Sequence, residues 1–179
     1  MKKIIGLTLV VFSFFLLASC GNMDEVAEDL IHYNNEEWVP INEMKKKKMR
    51  GIPLELTELE NEGKEEEAIA LVKDEILPVV NEVLEQLEAV EPEHQKVKKI
   101  NEMQIEAEQF VKDKFKQVIT YYEGGNVSEQ DIDQYDEEMR EKYQDILDYR
   151  DKLIDKYNLE YAGDDDTLGN FRNLKRAED

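Results

Sequence analysis

The fold is decided by the stretch at residues 97–122, which reads VKKINEMQIEAEQFVKDKFKQVITYY. Apolar side chains recur in it at three- and four-residue steps: Val97, Ile100, Met103, Ala107, Val111, Phe115, Val118 and Tyr122. This spacing is typical of an amphipathic α-helix, which packs one face and exposes the other to water. The positions between are mostly Glu, Lys, Gln and Asp, as a solvated face requires. The stretch therefore predicts one long helix with a single buried face.

Two other stretches carry the same spacing, one before and one after this helix. The earlier row is Ile69, Val72, Ile76, Val79 or Val80, Val83, Leu87 and Val90. The later row is Ile132, Tyr135, Met139, Tyr143, Ile146, Tyr149, Leu153 and Tyr157. No segment alternates with a period of two, so no β-strand is predicted.

Glycine and proline mark the helix ends. Breaks are expected at 51–53, 91–93 and 124–126, because glycine suits a left-handed cap and proline cannot continue a helix. Ser128 precedes Asp131 by three residues, the spacing of a capping box at the start of a helix. Connections this short make sequential helices antiparallel neighbours.

The first helix, within residues 24–50, is interrupted. Asn34 and Asn35 are weak helix formers and Pro40 lacks a backbone donor, so a break or kink is predicted near 38–40. Pro78 should bend the second helix for the same reason, and residues 54–63 should form a short helix or an ordered crossover. The predicted class is all-α, an elongated antiparallel up-down bundle of three to four long helices. It spans residues 20–161, and 162–179 form an acidic, mobile tail.

Residues 1–19 do not belong to this domain. Lys2 and Lys3 precede an apolar run at 4–17, which is too short to span a bilayer and typical of a signal peptide. Two interpretations compete for the end of the run: an ordinary signal peptide that carries a cysteine, or a lipobox. The lipobox interpretation is favoured by the tetrapeptide that follows, Leu17, Ala18, Ser19 and Cys20, and Cys20 is the only cysteine in the chain.

Lipidation of Cys20 would make the membrane the first partner, through a diacylglyceryl group that carries more than one acyl chain. Removal of 1–19 takes away Lys2 and Lys3, so 21 basic residues stand against 43 acidic ones and the net charge goes from −20 to −22. Such a chain repels polyanions, and nucleic-acid binding is not expected.

Lys45, Lys46, Lys47 and Lys48, with Arg50, form the one dense basic run. One interpretation is that these cations stabilise the dipole at a helix C-terminus. The other is an anion-binding patch, which a helix rising from the membrane would place roughly 40 Å out, at the far end of the molecule. Trp38 beside Pro40 is either a core plug or an anchor for a partner.

No metal or cofactor site is expected. Asp29 and His32 have the spacing of one element of a di-metal helix bundle, but such a site needs a second element, and His94 lies at a turn. No phosphate loop, dinucleotide motif or nucleophile elbow is present, so an enzyme is not expected.

The chain resembles the small helical lipoproteins of Gram-positive bacteria, and most of all the cell-wall-binding lipoprotein family of Bacillus. The resemblance rests on Lys2 and Lys3, the lipobox with Gly21, and the Glu/Lys-rich helices from about 24 to 157. It implies a cell-wall polymer as partner. Two functions stay open: a non-catalytic binding or structural lipoprotein, and an accessory or regulatory subunit that docks another envelope protein through a helix face. The sequence leaves the oligomeric state open.

Overall fold

The structure is a computed structural model that describes residues 24–162 and 172–177, and it is mostly helical. Helix α1 covers residues 24–48 and α2 covers Ile52–Asn61. Helix α3 consists of Glu65–Leu71, Val72–Ile76 and Leu77–Ala89 in succession. Helices α4 and α5 are Gln95–Tyr122 and Glu129–Lys156, and strands β1 and β2 are Leu159–Tyr161 and Leu174–Arg176. The short helix expected within 54–63 is thus part of α2.

A break or kink was predicted near 38–40, and the break does not occur: α1 is continuous through Pro40. Its central part, Tyr33–Trp38, is a π-helix, and the N–H of Val39 donates to the carbonyl of Asn34, five residues back. The wider turn ends just before Pro40, which lies at the start of the α-helix Val39–Lys48, where a missing N–H costs least.

Helix α3 uses the same arrangement. Its π-helical part is Val72–Ile76, the N–H of Leu77 donates to the carbonyl of Val72, and Pro78 follows directly. Each proline is therefore accommodated by one wide turn, and both helices remain continuous.

The other helix ends follow the sequence more simply. Gly51 has φ 86°, a left-handed conformation that separates α1 from α2 at little cost for glycine. The capping box is confirmed: the Ser128 hydroxyl accepts from the Asp131 N–H, and the Asp131 carboxylate accepts from the Ser128 N–H at 2.8 Å. Hydrogen bonds from the Ser128 side chain and then its backbone lower the pKa of Asp131.

The buried faces are those that the apolar spacing predicts. In α4 the buried apolar residues are Val97, Ile100, Ala107, Val111, Val118 and Ile119, and in α3 they include Val72, Ile76, Val80, Val83 and Leu87. One cluster joins α1, α4, α5 and both strands, and another joins α2, α3 and α4. Burial of these stripes provides most of the stabilisation of the helices.

Polar contacts between neighbouring helices show the relative directions of those helices. Helices α1 and α4 run the same way, since Tyr33 contacts Asn101 and Lys45 contacts Glu108 further along both. Helix α5 runs against α4, since Glu108 contacts Tyr143 whereas Lys114 contacts the earlier Asp136.

The structure of the C-terminal part of the chain differs from two predictions, the absence of β-strands and the mobile tail. Strands β1 and β2 pair antiparallel, with Tyr161 opposite Leu174, although no strand was expected. Residues 172–177 are not a mobile tail, because Leu174 is only 2 % exposed and lies in the main apolar cluster. The strands were not predicted because three residues are too few to show the alternation of apolar and polar side chains that marks a β-strand. Residues 163–171 and 178–179 lie outside the described part of the chain.

Candidate functional site

The predicted signal peptide and the predicted lipobox residues Leu17, Ala18, Ser19 and Cys20 lie outside the described residues, which begin at 24. Within the described part of the chain, no helix combines the length and apolar character needed to cross a bilayer.

The side chains of the lysine run at 45–48 have different environments in the structure. The Lys45 ammonium reaches inward and contacts Glu108 Oε1 at 2.5 Å, while Lys48 pairs with Glu82 of α3. Lys46, Lys47 and Arg50 are exposed. At least two of the five cations expected in an anion-binding patch, Lys45 and Lys48, are therefore paired with carboxylates of the chain itself.

The lysine run was predicted at the far end of the molecule, and the structure places it elsewhere. Its contact with Glu108 places it beside the middle of α4, because α2 continues the chain beyond it. The end remote from residue 24 is instead formed by the last turns of α2 and α4, where the Tyr122 hydroxyl donates to Glu60 at 2.8 Å.

Trp38 is a core residue, and the prediction of a partner-facing anchor is wrong. The side chain is 4 % exposed, and the guanidinium of Arg150 lies 4.0 Å from the centre of its ring. The alternative, a core plug at the irregular part of α1, is confirmed. The π-helical turn points Trp38 toward α5 instead of solvent.

Asp29 has a structural partner. Its carboxylate accepts from the backbone N–H groups of Glu93 at 3.1 Å and His94 at 2.8 Å, at the turn into α4. His32 is exposed, and no group of three or more metal-ligating side chains occurs in the described residues. A cavity of about 330 Å³ beside this turn is lined by five glutamates besides Asp29: Glu25, Glu28, Glu37, Glu91 and Glu93.

Arg150 is the most unusual buried group. It is 1 % exposed, and its Nη2 donates to Asn34 Oδ1 at 2.5 Å, whereas Nη1 is buried without a hydrogen-bond partner. Among the described residues no carboxylate forms an ion pair with it. Burial lowers the pKa of Arg150, and the nearby Tyr161, Asp151 and Tyr33 act in the opposite direction. An arginine stays charged under these conditions, and its guanidinium lies within cation–π distance of two aromatic rings, 4.0 Å from that of Trp38 and 5.4 Å from that of Tyr161.

The asparagines of the π-helical turn hold the C-terminal strand. Asn34 Nδ2 donates to the carbonyl of Arg172 at 2.9 Å. Asn35 Nδ2 donates to the carbonyl of Leu174 at 2.9 Å, and its Oδ1 accepts from the Leu174 N–H at 2.7 Å. The side-chain amide of Asn35 therefore forms hydrogen bonds with both backbone groups of Leu174, as a neighbouring β-strand would.

A second buried polar group lies on α4. Glu108 is 2 % exposed; its Oε1 accepts from Lys45 and, at 2.8 Å, from the Tyr143 hydroxyl, while Oε2 is buried without a partner. Burial and the adjacent Glu108 carboxylate raise the pKa of Tyr143. About two turns earlier, Asn101 Nδ2 donates to the Leu87 carbonyl at 2.9 Å.

The sequence interpretation did not single out Asn101, Glu108, Asn34, Asn35 or Arg150 as site residues. A signal existed for the first two, because Asn101, Gln104 and Glu108 occupy helical positions that face the core of α4. Polar residues at such positions indicate a buried network. Arg150 carried a similar signal, because it stands four residues after Ile146 and three before Leu153, both of which are buried.

No protein-family model, curated protein or solved structure matches the chain. The resemblance to the cell-wall-binding lipoproteins of Bacillus therefore stays a prediction.

Proposed function

We propose that this chain is a lipoprotein anchored by diacylglyceryl-Cys20 to the extracytoplasmic face of the cell membrane, with a non-catalytic binding or structural role between membrane and wall. The observation that carries the proposal is the sequence Leu17-Ala18-Ser19-Cys20 directly after an apolar run with two leading lysines. Small residues before a cysteine at this place suit lipoprotein processing.

The helices form an elongated antiparallel bundle in this proposal. Helix α4 has 28 residues, which correspond to about 42 Å at 1.5 Å per residue. Four backbone steps separate Cys20 from residue 24, and they span at most about 15 Å. In this proposal the helical body therefore begins within about 15 Å of the lipidated cysteine.

A non-catalytic role is supported by the placement of the unusual polar groups. Glu108 and Arg150 are almost fully enclosed, so neither can touch a substrate without unfolding of the helices around it. Their contacts, with Lys45 and Tyr143 in one case and with Asn34 and Trp38 in the other, hold helices together.

Replacement of Cys20 with alanine tests the anchor. The variant is expected to accumulate as unprocessed precursor and to take up no radiolabelled palmitate, because the acceptor thiol is gone. Metabolic labelling followed by electrophoresis measures both properties. Mass spectrometry of the wild-type protein should find a mature chain that begins at lipidated Cys20. Palmitate incorporation into the alanine variant would contradict the proposal.

Wall polymer as the partner has its own test. Replacement of the exposed Lys46, Lys47 and Arg50 by glutamine, with Lys45 and Lys48 kept because they contact Glu108 and Glu82, should abolish sedimentation with purified protein-free wall. The reason is that these three exposed cations would be the ones to meet an anionic polymer. A control variant with glutamine at the exposed Lys98, Lys116 and Lys152 removes the same charge elsewhere. Equal sedimentation of the two variants would reject the patch.

The second candidate function is an accessory subunit that docks another envelope protein. The observation that favours it is the clamp of Asn34 and Asn35 on the backbone of an extended strand, a type of contact that protein partners can also make.

A further inference from the structure

Three lysines near the start of α4 and the end of α5 lie against tyrosine rings. The ammonium groups of Lys96 and Lys156 lie 5.4 and 5.8 Å from the centre of the Tyr157 ring, and Lys96 Nζ donates to the Tyr157 hydroxyl at 2.6 Å. Three residues further along α4, Lys99 Nζ lies 4.6 Å from the centre of the Tyr149 ring. These distances are within the range of cation–π contacts. We call these three lysines and two tyrosines the lysine–tyrosine seam, because they join α4 to α5.

The lysines of the seam differ from those at the end of the molecule remote from residue 24. No carboxylate of the described residues forms an ion pair with any of the three. At the remote end, a carboxylate lies 2.7 Å from Lys64, 2.7 Å from Lys73 and 3.1 Å from Lys116. Ammonium groups that are held near one another without an acidic partner repel each other, so the seam favours an anion from outside the chain.

The tyrosines fix these cations at the surface. Tyr157 is 6 % exposed and belongs to the main apolar cluster, and Tyr149 packs against that cluster. The hydrogen bond with the Tyr157 hydroxyl raises the pKa of Lys96, which therefore stays charged at neutral pH. Lys99 and Lys156 are exposed, so their N–H donors can reach a ligand in solution.

The seam lies at the end of the molecule where the described chain begins. The backbone N–H groups of residues 93 and 94, directly before α4, donate to the Asp29 carboxylate of α1, and α5, antiparallel to α4, ends beside them. In the proposed lipoprotein this end is next to the membrane, because residue 24 lies within about 15 Å of lipidated Cys20. The nearest anion from outside the chain is then the phosphate of a phospholipid headgroup.

We propose that the lysine–tyrosine seam binds the phosphate groups of anionic phospholipids and holds this end of the bundle against the bilayer surface. Lysine ammonium groups bind phosphate as point charges, and basic residues next to a membrane are attracted to anionic lipids. The net charge of −20 does not prevent this contact, because charges more than about 8 Å away are largely screened at physiological ionic strength. The inference rests on the proposed function, since the anchor at Cys20 brings the seam to the lipid surface.

The test uses the full lipidated chain in lipid nanodiscs and measures the acetylation rate of each lysine by mass spectrometry. The three seam lysines should react at least threefold more slowly in discs of phosphatidylglycerol and phosphatidylcholine than in discs of phosphatidylcholine alone, because bound phosphate occupies their ammonium groups. Lys116, at the remote end, should react equally fast in both. A salt concentration of about 1 M should remove the difference, since it screens exposed charges.

A variant separates binding by the seam from mere closeness to an anionic membrane. Lys98 is exposed in the same first turn of α4 and serves as the reporter. Phosphatidylglycerol should slow its acetylation in the wild type, and glutamine at all three seam positions should abolish that slowing. A control with glutamine at Lys64, Lys73 and Lys116 removes the same charge at the remote end and should keep it. Equal slowing of Lys98 in the two variants would overturn the proposal.

The remaining outcomes distinguish other ligands and a failed anchor. Equal slowing of the seam lysines by inorganic phosphate added to phosphatidylcholine discs would assign the seam to free phosphate, and slowing by purified protein-free wall alone would assign it to wall polymer. Either result would overturn the assignment to lipid. Unchanged acetylation in a chain that stays in both kinds of disc would overturn the inference and leave the anchor intact. A chain that does not stay in phosphatidylcholine discs would overturn the anchor and the inference together.

Discussion

Replacement of Arg150 with alanine is expected to lower the free energy of unfolding by about 3 kcal/mol, the scale of large-to-small changes in a core. The guanidinium packs 4.0 Å from the Trp38 ring and satisfies Asn34 Oδ1. Alanine would leave a cavity between α1 and α5 and an unpaired amide oxygen. Part of this cost is offset because a buried cation without an acidic partner is removed. Urea denaturation followed by circular dichroism measures the difference.

The comparison of three variants at Arg150 separates packing from charge. Arg150→Met keeps much of the volume and removes the buried charge, so it should cost less than half as much as alanine. Arg150→Lys should cost more than methionine, because a compact ammonium cannot stack on Trp38 as a planar guanidinium does. Arg140→Ala, on the exposed side of the same helix, should stay within about 0.5 kcal/mol of wild type. A methionine variant as unstable as the alanine one would contradict this account.

Replacement of Lys45 with methionine is expected to destabilise the protein by about 3 kcal/mol, since it leaves the buried Glu108 carboxylate without its cation. The two partners are not equivalent: the side chain of Lys45 is 22 % exposed and that of Glu108 is 3 % exposed. In the reciprocal variant Glu108→Leu the ammonium can turn to water, and the main loss is the hydrogen bond of Tyr143. That variant should therefore cost only about 1 kcal/mol.

The double variant completes the thermodynamic cycle. Lys45→Met combined with Glu108→Leu should recover most of the stability lost in Lys45→Met, because no buried charge remains. Lys47→Met is the matched control, as Lys47 stands in the same run but is exposed. Additive costs in the double variant would mean that the contact between Lys45 and Glu108 contributes nothing to folding.

The long helices could be predicted from the sequence because their apolar residues repeat with the helical period over several turns. Val97, Ile100 and Val111 are buried as that period requires. The continuity of α1 through Pro40 could not be predicted in this way. It depends on a π-helical turn, and the only local sign, weak helix formers at Asn34 and Asn35, suggests a break just as well.

The buried polar contacts were predictable only in part. Glu108 occupies a core-facing position of α4, which is visible in the pattern, but its pairing with Lys45 depends on how α1 and α4 pack. Arg150 and Leu174 are separated by 24 positions in sequence order and meet the π-helical turn only in the folded chain. Contacts between segments that are distant in sequence do not produce a periodic pattern of residues. The contact between Trp38 and Arg150 is of this kind, so the sequence left two interpretations of Trp38 open.

The ion pair between Arg176 and Asp24, at 3.0 Å, has a practical consequence for measuring the molecule in cells. It holds β2 beside the first described turn of α1, so these two segments lie at one pole of the described part of the protein. A fluorophore placed next to β2 would report from the same pole as the start of α1, whereas one inserted at the turn 124–126 would report from the opposite pole. The length of α4, about 42 Å, separates the two positions. If the proposed lipid anchor at Cys20 is present, energy transfer from each of these two labels to a membrane dye would measure whether the molecule stands upright on the membrane or lies flat.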